Sequence, residues 1–377
     1  MGGPLEGLKV IELAGIGPSP YACMLLADLG ADILRIERGD ADAEPAPTWD
    51  VLNRSRPSVA VDLKNPVGRD LVLELCERAD VLIEGFRPGV TERLGLGPNE
   101  VALRNRRIVY ARMTGYGQEG PLSQRAGHDI NYIAISGALW PIGRKGERPV
   151  VPLNLVGDFG GGALFMAFGV VSAVMNARET GEGQVVDVAM VDGSASLTAM
   201  THGLLNAGFW FEERGSNILD TGAHFYEVYQ TKDERFVAVG AIEPKFYQQL
   251  LRGLELDETE LPAQMDRTQW PVMKERFADV FATRTRDEWW AIFVDLDACV
   301  TPVLSPREAA SHPLNVARHV FSNDGPIQPQ PAPRFSRTPG AISRAPTTPG
   351  SNTREGLARW GIGSSRLALL LSQGAFG

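Results

Sequence analysis

Residues 4–38 read PLEGLKVIELAGIGPSPYACMLLADLGADILRIER, and this stretch decides the fold class. Leu8–Leu13 is a short apolar run, the pattern of a buried strand. Ala14–Pro20 (AGIGPSP) carries turn-forming glycine and proline and reads as a loop. Pro20–Leu29 predicts a helix, and Ala31–Glu37 a second strand. Strand, helix and strand in succession make a βαβ unit, with parallel strands and a right-handed crossover.

The alternation continues outward from this unit. Ser58–Leu63, Asp80–Phe86 and Ile108–Met113 read as strands, with helices over Val67–Arg78 and near Asn99–Arg106. The expected class is α/β, with a large Rossmann-like parallel sheet carrying helices on both faces. Near residue 215 the pattern changes. His224–Tyr229 and Arg235–Ala241 form a strand pair around the turn Lys232–Glu234, and helices follow at Pro244–Leu254, Val272–Thr283 and Arg286–Phe293. This predicts a small α+β domain. Seven prolines between Pro326 and Pro349 forbid a central strand or helix. Short helices are expected at Thr353–Trp360 and Ser365–Leu371. The predicted organisation is a large domain over 1–190, a linker over 191–219, a small domain over 220–310 and a return segment over 311–377. From about residue 320 that segment completes the first domain.

Composition narrows the function. The 377 residues are 44% apolar and 22% charged, as in an ordinary globular protein of more than one domain. The 41 glycines and 26 prolines exceed the usual ~12% share and imply many turns. A net charge of −9 argues against a nucleic-acid partner bound through overall charge. Cys23, Cys76 and Cys299 are far apart and odd in number, so neither a disulfide framework nor a zinc ribbon is expected. The five histidines show no metal-binding spacing, and no metal centre is expected. The opening MGGPLEGLKVIEL has no basic and apolar leader pattern, and Glu6 breaks the myristoylation pattern. Residues 159–177 lack charge, but glycines at 160, 161, 162 and 169 and Asn176 interrupt them. They read as a buried core helix, with no membrane partner, in a cytoplasmic protein.

Charge is unevenly spread. Residues 51–112 hold 11 Lys/Arg against 8 Asp/Glu. Arg54, Arg56, Lys64, Arg87, Arg93, Arg104, Arg106 and Arg107 lie there, with Arg38 just upstream. Two readings stand: solvated helix faces, or a site for a phosphorylated ligand held by guanidinium forks. A dinucleotide fingerprint fails. Gly15, Gly17 and the later Glu37 fit it, but Pro20 occupies the third glycine position, and Pro18 and Pro20 lack the N–H groups that cradle a pyrophosphate.

Three residues stand out for chemistry. His128 follows a glycine in a polar, turn-like stretch, where it reads as a general base or as an ordinary hydrogen-bonded residue. Asp158 precedes three glycines at the entry to the apolar stretch. There it is an acid/base group or simply a helix N-cap, and its backbone N–H is a candidate donor to a developing oxyanion. The glycines would let another molecule approach the backbone. Glu243 precedes Pro244 at a strand-to-helix junction and also fits a plain first-turn position. Spacing alone does not join the three.

Beyond residues 4–38, ADVLIEGFRPGVTERLGLG (79–97), RIVYARMTGYGQEGP (107–121), AGHDINYIAISG (126–137), NLVGDFGGG (154–162), GQVVDVAMVDGS (183–194), FVAVGAIEPKFY (236–247) and PRFSRTPG (333–340) together resemble the family III coenzyme A transferase (CaiB/BaiF) superfamily, and within it the α-methylacyl-CoA racemase branch. The likeness runs over roughly residues 3–340. Transferases of the superfamily use the aspartate of GDFGGG to form an acyl anhydride. They usually carry an aromatic residue where His128 stands, and many have Gln where Gly17 stands, so this chain matches the racemase pattern at both places.

The resemblance implies an isomerase acting on 2-methylacyl-CoA thioesters by proton transfer through an enolate. The alternative is a CoA transferase with Asp158 as nucleophile. It implies His128 and Asp158 as the proton-transfer pair, with Glu243 hydrogen-bonding His128. It places Arg38, the segment Val61, Asp62, Leu63 and Lys64, then Gly85, Arg87 and Arg93 at the CoA site, joined by Gly127, Asp129, Ile130, Asn131 and Tyr132. Met190 and Met200 would offer an adaptable acyl surface or serve as ordinary core. CoA enters as part of the substrate, with no separate cofactor. The expected assembly is an interlocked homodimer.

Overall fold

The computed structural model describes residues 2–38, 49–322 and 325–376. They divide into two compact units, one within Met1–Ser136, Leu153–Leu197 and Arg318–Gly377, the other within Gly137–Pro152 and Thr198–Ala317.

In the first unit the elements run β1 (Lys9–Leu13), α1 (Pro18–Asp28), β2 (Asp32–Glu37), β3 (Ser58–Ala60), α2 (Pro66–Cys76), β4 (Val81–Glu84), α3 (Val90–Arg93), α4 (Pro98–Arg104), β5 (Val109–Thr114) and α5 (Asp129–Ile135). A π-helix (Leu155–Leu164) then runs into α6 (Phe165–Thr180), followed by β6 (Val185–Ala189) and α7 (Met190–Leu197). The six strands form one parallel sheet in the order β3-β2-β1-β4-β5-β6. The winding reverses between β1 and β4, and such a switch point opens a crevice at the carboxyl ends of the strands.

Successive strand residues face opposite ways and feed two cores. Ile11, Leu34, Leu82 and Tyr110 pack with α2 and the chain's end, including Leu357, Trp360 and Leu370. Val10, Ile33, Ile83 and Ala111 pack with residues of α1 and α6, such as Leu26, Met166 and Val170. The α/β expectation therefore holds. Strand β6 is less apolar in its setting, with Val185 and Asp187 exposed, which hides it from a search for buried runs.

The second unit holds α8 (Ala199–Asn206), then β7 (Tyr226–Gln230), β8 (Phe236–Gly240), α9 (Pro244–Gly253), α10 (Trp270–Phe281), α11 (Arg286–Phe293), β9 (Val300–Pro302), α12 (Pro306–Ser311) and α13 (Pro313–Ala317). Its three strands form an antiparallel sheet in the order β7-β8-β9. The core is aromatic, with Phe225, Tyr247, Phe277, Phe281, Trp289 and Phe293 buried together. Helices α14 (Thr353–Arg359) and α15 (Ser364–Ser372) belong to the first unit.

Two expectations need correction. Residues 137–152, assigned to the first domain by sequence order, pack with the second unit. Arg214 donates to the Trp140 and Glu147 carbonyls, Trp140 donates to the Glu212 carbonyl, and Arg144 pairs with buried Glu227 at 2.8 Å. The apolar helix Leu155–Thr180 is long and apolar enough to cross a membrane, but as a core helix it is buried on one side only. Met166, Val170, Ala173 and Ala177 are buried, whereas Phe168 is 72% and Met175 68% exposed.

Candidate active site

A cavity of about 530 Å³ opens at the carboxyl ends of β1, β4 and β5. The loop after β1 supplies Gly15–Ser19, the loop after β4 supplies Gly85–Pro88, and Thr114–Tyr116 close the floor. Ser123, Arg125, Gly127, His128, Tyr132, Asp158 and Met190 complete the wall. His128 and Asp158, which spacing could not join, line one space.

His128 does not sit in a free turn. It is the N-cap of α5, with φ −131° and ψ 174°, and its backbone N–H donates to Asn131 Oδ1 at 3.0 Å. Its side chain is exposed. The Tyr132 hydroxyl donates back to the Gly127 carbonyl, and Tyr116 meets Tyr132 edge-on at 5.0 Å. A Cβ at Gly127 would lie 2.8 Å from both the Tyr116 hydroxyl and the Tyr132 ring, so the two tyrosines require glycine before His128. Burial, with Tyr116 and then Asp158 and Asp129 nearby, pushes the Tyr132 phenol up to about 12, and it remains a neutral donor.

Asp158 is not an N-cap. It lies inside the π-helix, whose N-cap is Asn154, and short π segments recur at functional sites. Asn154 Nδ2 donates to Asp158 Oδ2 at 3.3 Å. Burial raises the Asp158 carboxyl above the ordinary range; Asp129 adds to this, while Asn154 and His128 oppose it. Gly17, at φ +71°, leaves the space beside this carboxyl open, since a Cβ there would lie 3.3 Å from Asp158 Oδ2.

Asp129 overturns the expected oxyanion donor. Its Oδ2 accepts from the Asp158 backbone N–H at 2.7 Å, so that donor is occupied. Asp129 itself is buried. Gly157 permits the contact, since a Cβ there would sit 2.6 Å from Asp129 Oδ2. The following glycines also differ from expectation, because they admit the protein's own backbone. A Cβ on Gly161 would lie 2.6 Å from the Ser194 N, and one on Gly193 would lie 1.8 Å from the Gly161 carbonyl, so α7 needs both glycines to pack on the π-helix.

Of the other expected residues, Gly85 and Arg87 line the cavity beside Gly127 and Tyr132. Ile130 and Asn131 stand exposed in the first turn of α5. Arg38 follows β2 and Val61–Lys64 follow β3, at the same carboxyl edge of the sheet. Arg93 closes α3 and is exposed. These outer residues are not among those lining the cavity. Glu243 belongs to the second unit, where it is the exposed N-cap of α9. Met190 lines the cavity, whereas Met200 is exposed on α8 in the other unit. Arg125 and the Gly15–Ser19 loop are site residues outside the expected set, Gly17 having entered only as a position that matches the racemase pattern. Arg125 lies only three residues before His128, but the loop's failure as a dinucleotide motif hid its place in the wall.

Much of the basic island is internal. Arg54 pairs with Asp28 at 2.6 Å and Arg56 with Glu12 at 2.9 Å, all four side chains nearly inaccessible. Arg104 and Arg106 pair with Glu77 and Glu182 on the surface.

The CoA-transferase family III model matches residues 5–353. The chain is 47% identical over 372 residues to α-methylacyl-CoA racemase of Mus musculus, covering 98% of this chain and 96% of that one. It is 45% identical over 374 residues to α-methylacyl-CoA racemase of Homo sapiens, with the same coverage. A CaiB/BaiF family protein from Brucella suis has the same fold, with a TM-score of 0.82 at 22% identity over 96% of this chain and all of that one. The cavity lined by His128 and Asp158 thus sits in a chain that belongs to CoA-transferase family III.

Proposed function

We infer that the protein is an isomerase that interconverts (2R)- and (2S)-2-methylacyl-CoA thioesters. One observation carries this: His128 and Asp158 converge on a single cavity, in a chain 45–47% identical to two racemases of that name. The α-hydrogen of a thioester is weakly acidic, and inversion needs a base on one face and an acid on the other. Neutral His128 takes the proton, the C–H electron pair enters the Cα–C bond, and the thioester oxygen becomes an oxyanion. Protonated Asp158 then delivers a proton to the opposite face, and the enolate pair forms the new C–H bond. The reverse direction starts from imidazolium and carboxylate. A carboxyl raised by burial suits a group that must hold a proton part of the time near neutrality. With the Asp158 N–H bonded to Asp129, the oxyanion needs a donor other than that group.

CoA is held as part of the substrate, and the proton transfer uses side chains alone. Gly85, Arg87, Gly127 and Tyr132 border the cavity, while Arg38, Arg93 and the Val61–Lys64 loop extend the ligand surface outward along the strand ends. Glu243 supports His128 from a second copy in a homodimer. The exposed apolar side of the helix, with Leu164, Phe168 and Met175, favours such an assembly.

The test is α-proton exchange with solvent deuterium, together with epimer interconversion. Each should occur with the intact protein and nearly vanish in His128→Ala and Asp158→Ala, while CoA-ester binding changes little. Acyl exchange between free acid and CoA ester, without α-exchange, would instead assign Asp158 the transferase role.

A further inference from the structure

We propose that the C-terminal residues Gln373–Phe376 clamp the Val61–Lys64 loop and thereby set the enzyme's affinity for the nucleotide end of CoA. The proposal rests on the reading above that this loop holds part of CoA. The loop leaves β3 and enters α2 at the ligand edge of the sheet. Internally it is a tight turn: Asp62 Oδ1 accepts from the Lys64 N–H at 2.9 Å and the Asp62 carbonyl accepts from the Asn65 N–H at 3.1 Å. Those bonds shape the turn but do not fix its position on the domain.

The tail does. The Asp62 N–H donates to the Ala375 carbonyl at 2.9 Å, and Ala375 is fully buried. Asn65 works in both directions. Its Oδ1 accepts from the Val67 N–H at 2.9 Å and caps α2, while its Nδ2 donates to the Gln373 and Gly374 carbonyls at 3.2 and 2.9 Å. Gly374 makes the required bend at φ +70°. Gly68 leaves room for the junction, since a Cβ there would lie 2.2 Å from the Asp62 carbonyl and 3.0 Å from that of Ala375. Leu63, Val67 and Phe376 lie against the same hydrophobic core. Lys64 alone in the loop remains exposed. The clamp therefore presents a charged side chain from a pre-positioned backbone, which reduces the ordering cost of binding.

Asn65→Asp separates the clamp from the helix cap. It keeps the capping oxygen and replaces the amide donor with a carboxylate facing two carbonyls. Two substrates with the same acyl group are compared, the CoA thioester and the pantetheine thioester, which lacks the nucleotide. KM for the CoA thioester should rise about tenfold with kcat unchanged, as expected for lost uniform binding. Constants for the pantetheine thioester should stay within about twofold. Deletion of residues 373–377 should reproduce the pattern. Equal losses on both substrates, or no change on either, would overturn the clamp. Lys64→Ala is the control for the underlying reading. If it raises KM for the CoA thioester while Asn65→Asp does not, the clamp alone fails; if it has no effect, the CoA assignment of the loop fails and takes the clamp with it.

Discussion

Asp129 offers a sharp test of how the acid Asp158 is held. Its carboxylate is 5% exposed and accepts the Asp158 backbone N–H at 2.7 Å. Asp129→Ala deletes a hydrogen bond to a charged acceptor, a loss of about 1.5–3 kcal/mol, and leaves an N–H in the π-helix without that partner. In a chain of this size, with about 2.1 cal/mol/K of unfolding entropy per residue, that corresponds to a fall in Tm of roughly 2–4 °C. A proton carrier displaced by about 1 Å can lose about 100-fold in rate, so kcat should drop about 10- to 100-fold. KM for the CoA ester should stay within about twofold. Asp129→Asn keeps an acceptor but removes the charge, and about half of the bond should survive. Asp129 also helps hold the Asp158 carboxyl up, so this variant lowers it. In the direction where Asp158 starts protonated, kcat/KM falls as pH rises, and in the variant that fall should begin at lower pH. In the reverse direction the rise with pH should likewise begin at lower pH. Thermal melts and deuterium exchange across pH measure these quantities. A normal kcat with raised KM in Asp129→Ala would refute the reasoning and return Asp129 to the CoA-contact role that resemblance implied.

Two further outcomes follow from buried charge. Arg56→Met leaves Glu12 uncompensated inside β1, where the pair now sits at 2.9 Å and 0% exposure, and should cost about 3–5 kcal/mol of stability in a denaturant melt; unchanged stability with a raised KM would make Arg56 a ligand residue instead. Asp158→Asn should abolish racemisation yet raise Tm at neutral pH. Because folding raises the Asp158 carboxyl, its contribution to stability is present below the ordinary aspartate value of about 3.9 and is lost as pH rises through the higher folded value. The Tm gain should therefore disappear in acid, and a gain that persists there would point to packing instead.

The sheet was legible because its strands are local signals. LKVIEL and DVLIEGF are apolar runs bounded by turns, and each reports burial without reference to the rest of the chain. The chemistry was legible only as residue types. His128 and Asp158 belong to separate elements, and what joins them is the reversal of winding between β1 and β4, a property of strand order that no spacing encodes. The corrected details are nonlocal in the same way. Arg56 looks like a surface cation until β1 brings Glu12 beneath it. The Asp158 N–H looks free until α5 delivers Asp129 to it. GDFGGG looks like a helix entry open to a ligand, but Gly161 serves α7, whose own Gly193 lies far along the chain. A glycine signals only that something approaches the backbone closely. Whether that neighbour is substrate or protein depends on which distant segment fills the space, and here Gly161 faces protein while Gly17 faces the Asp158 carboxyl. Hence Gly17, rather than the glycine run, is the position at which an added side chain would intrude directly on the proposed proton transfer.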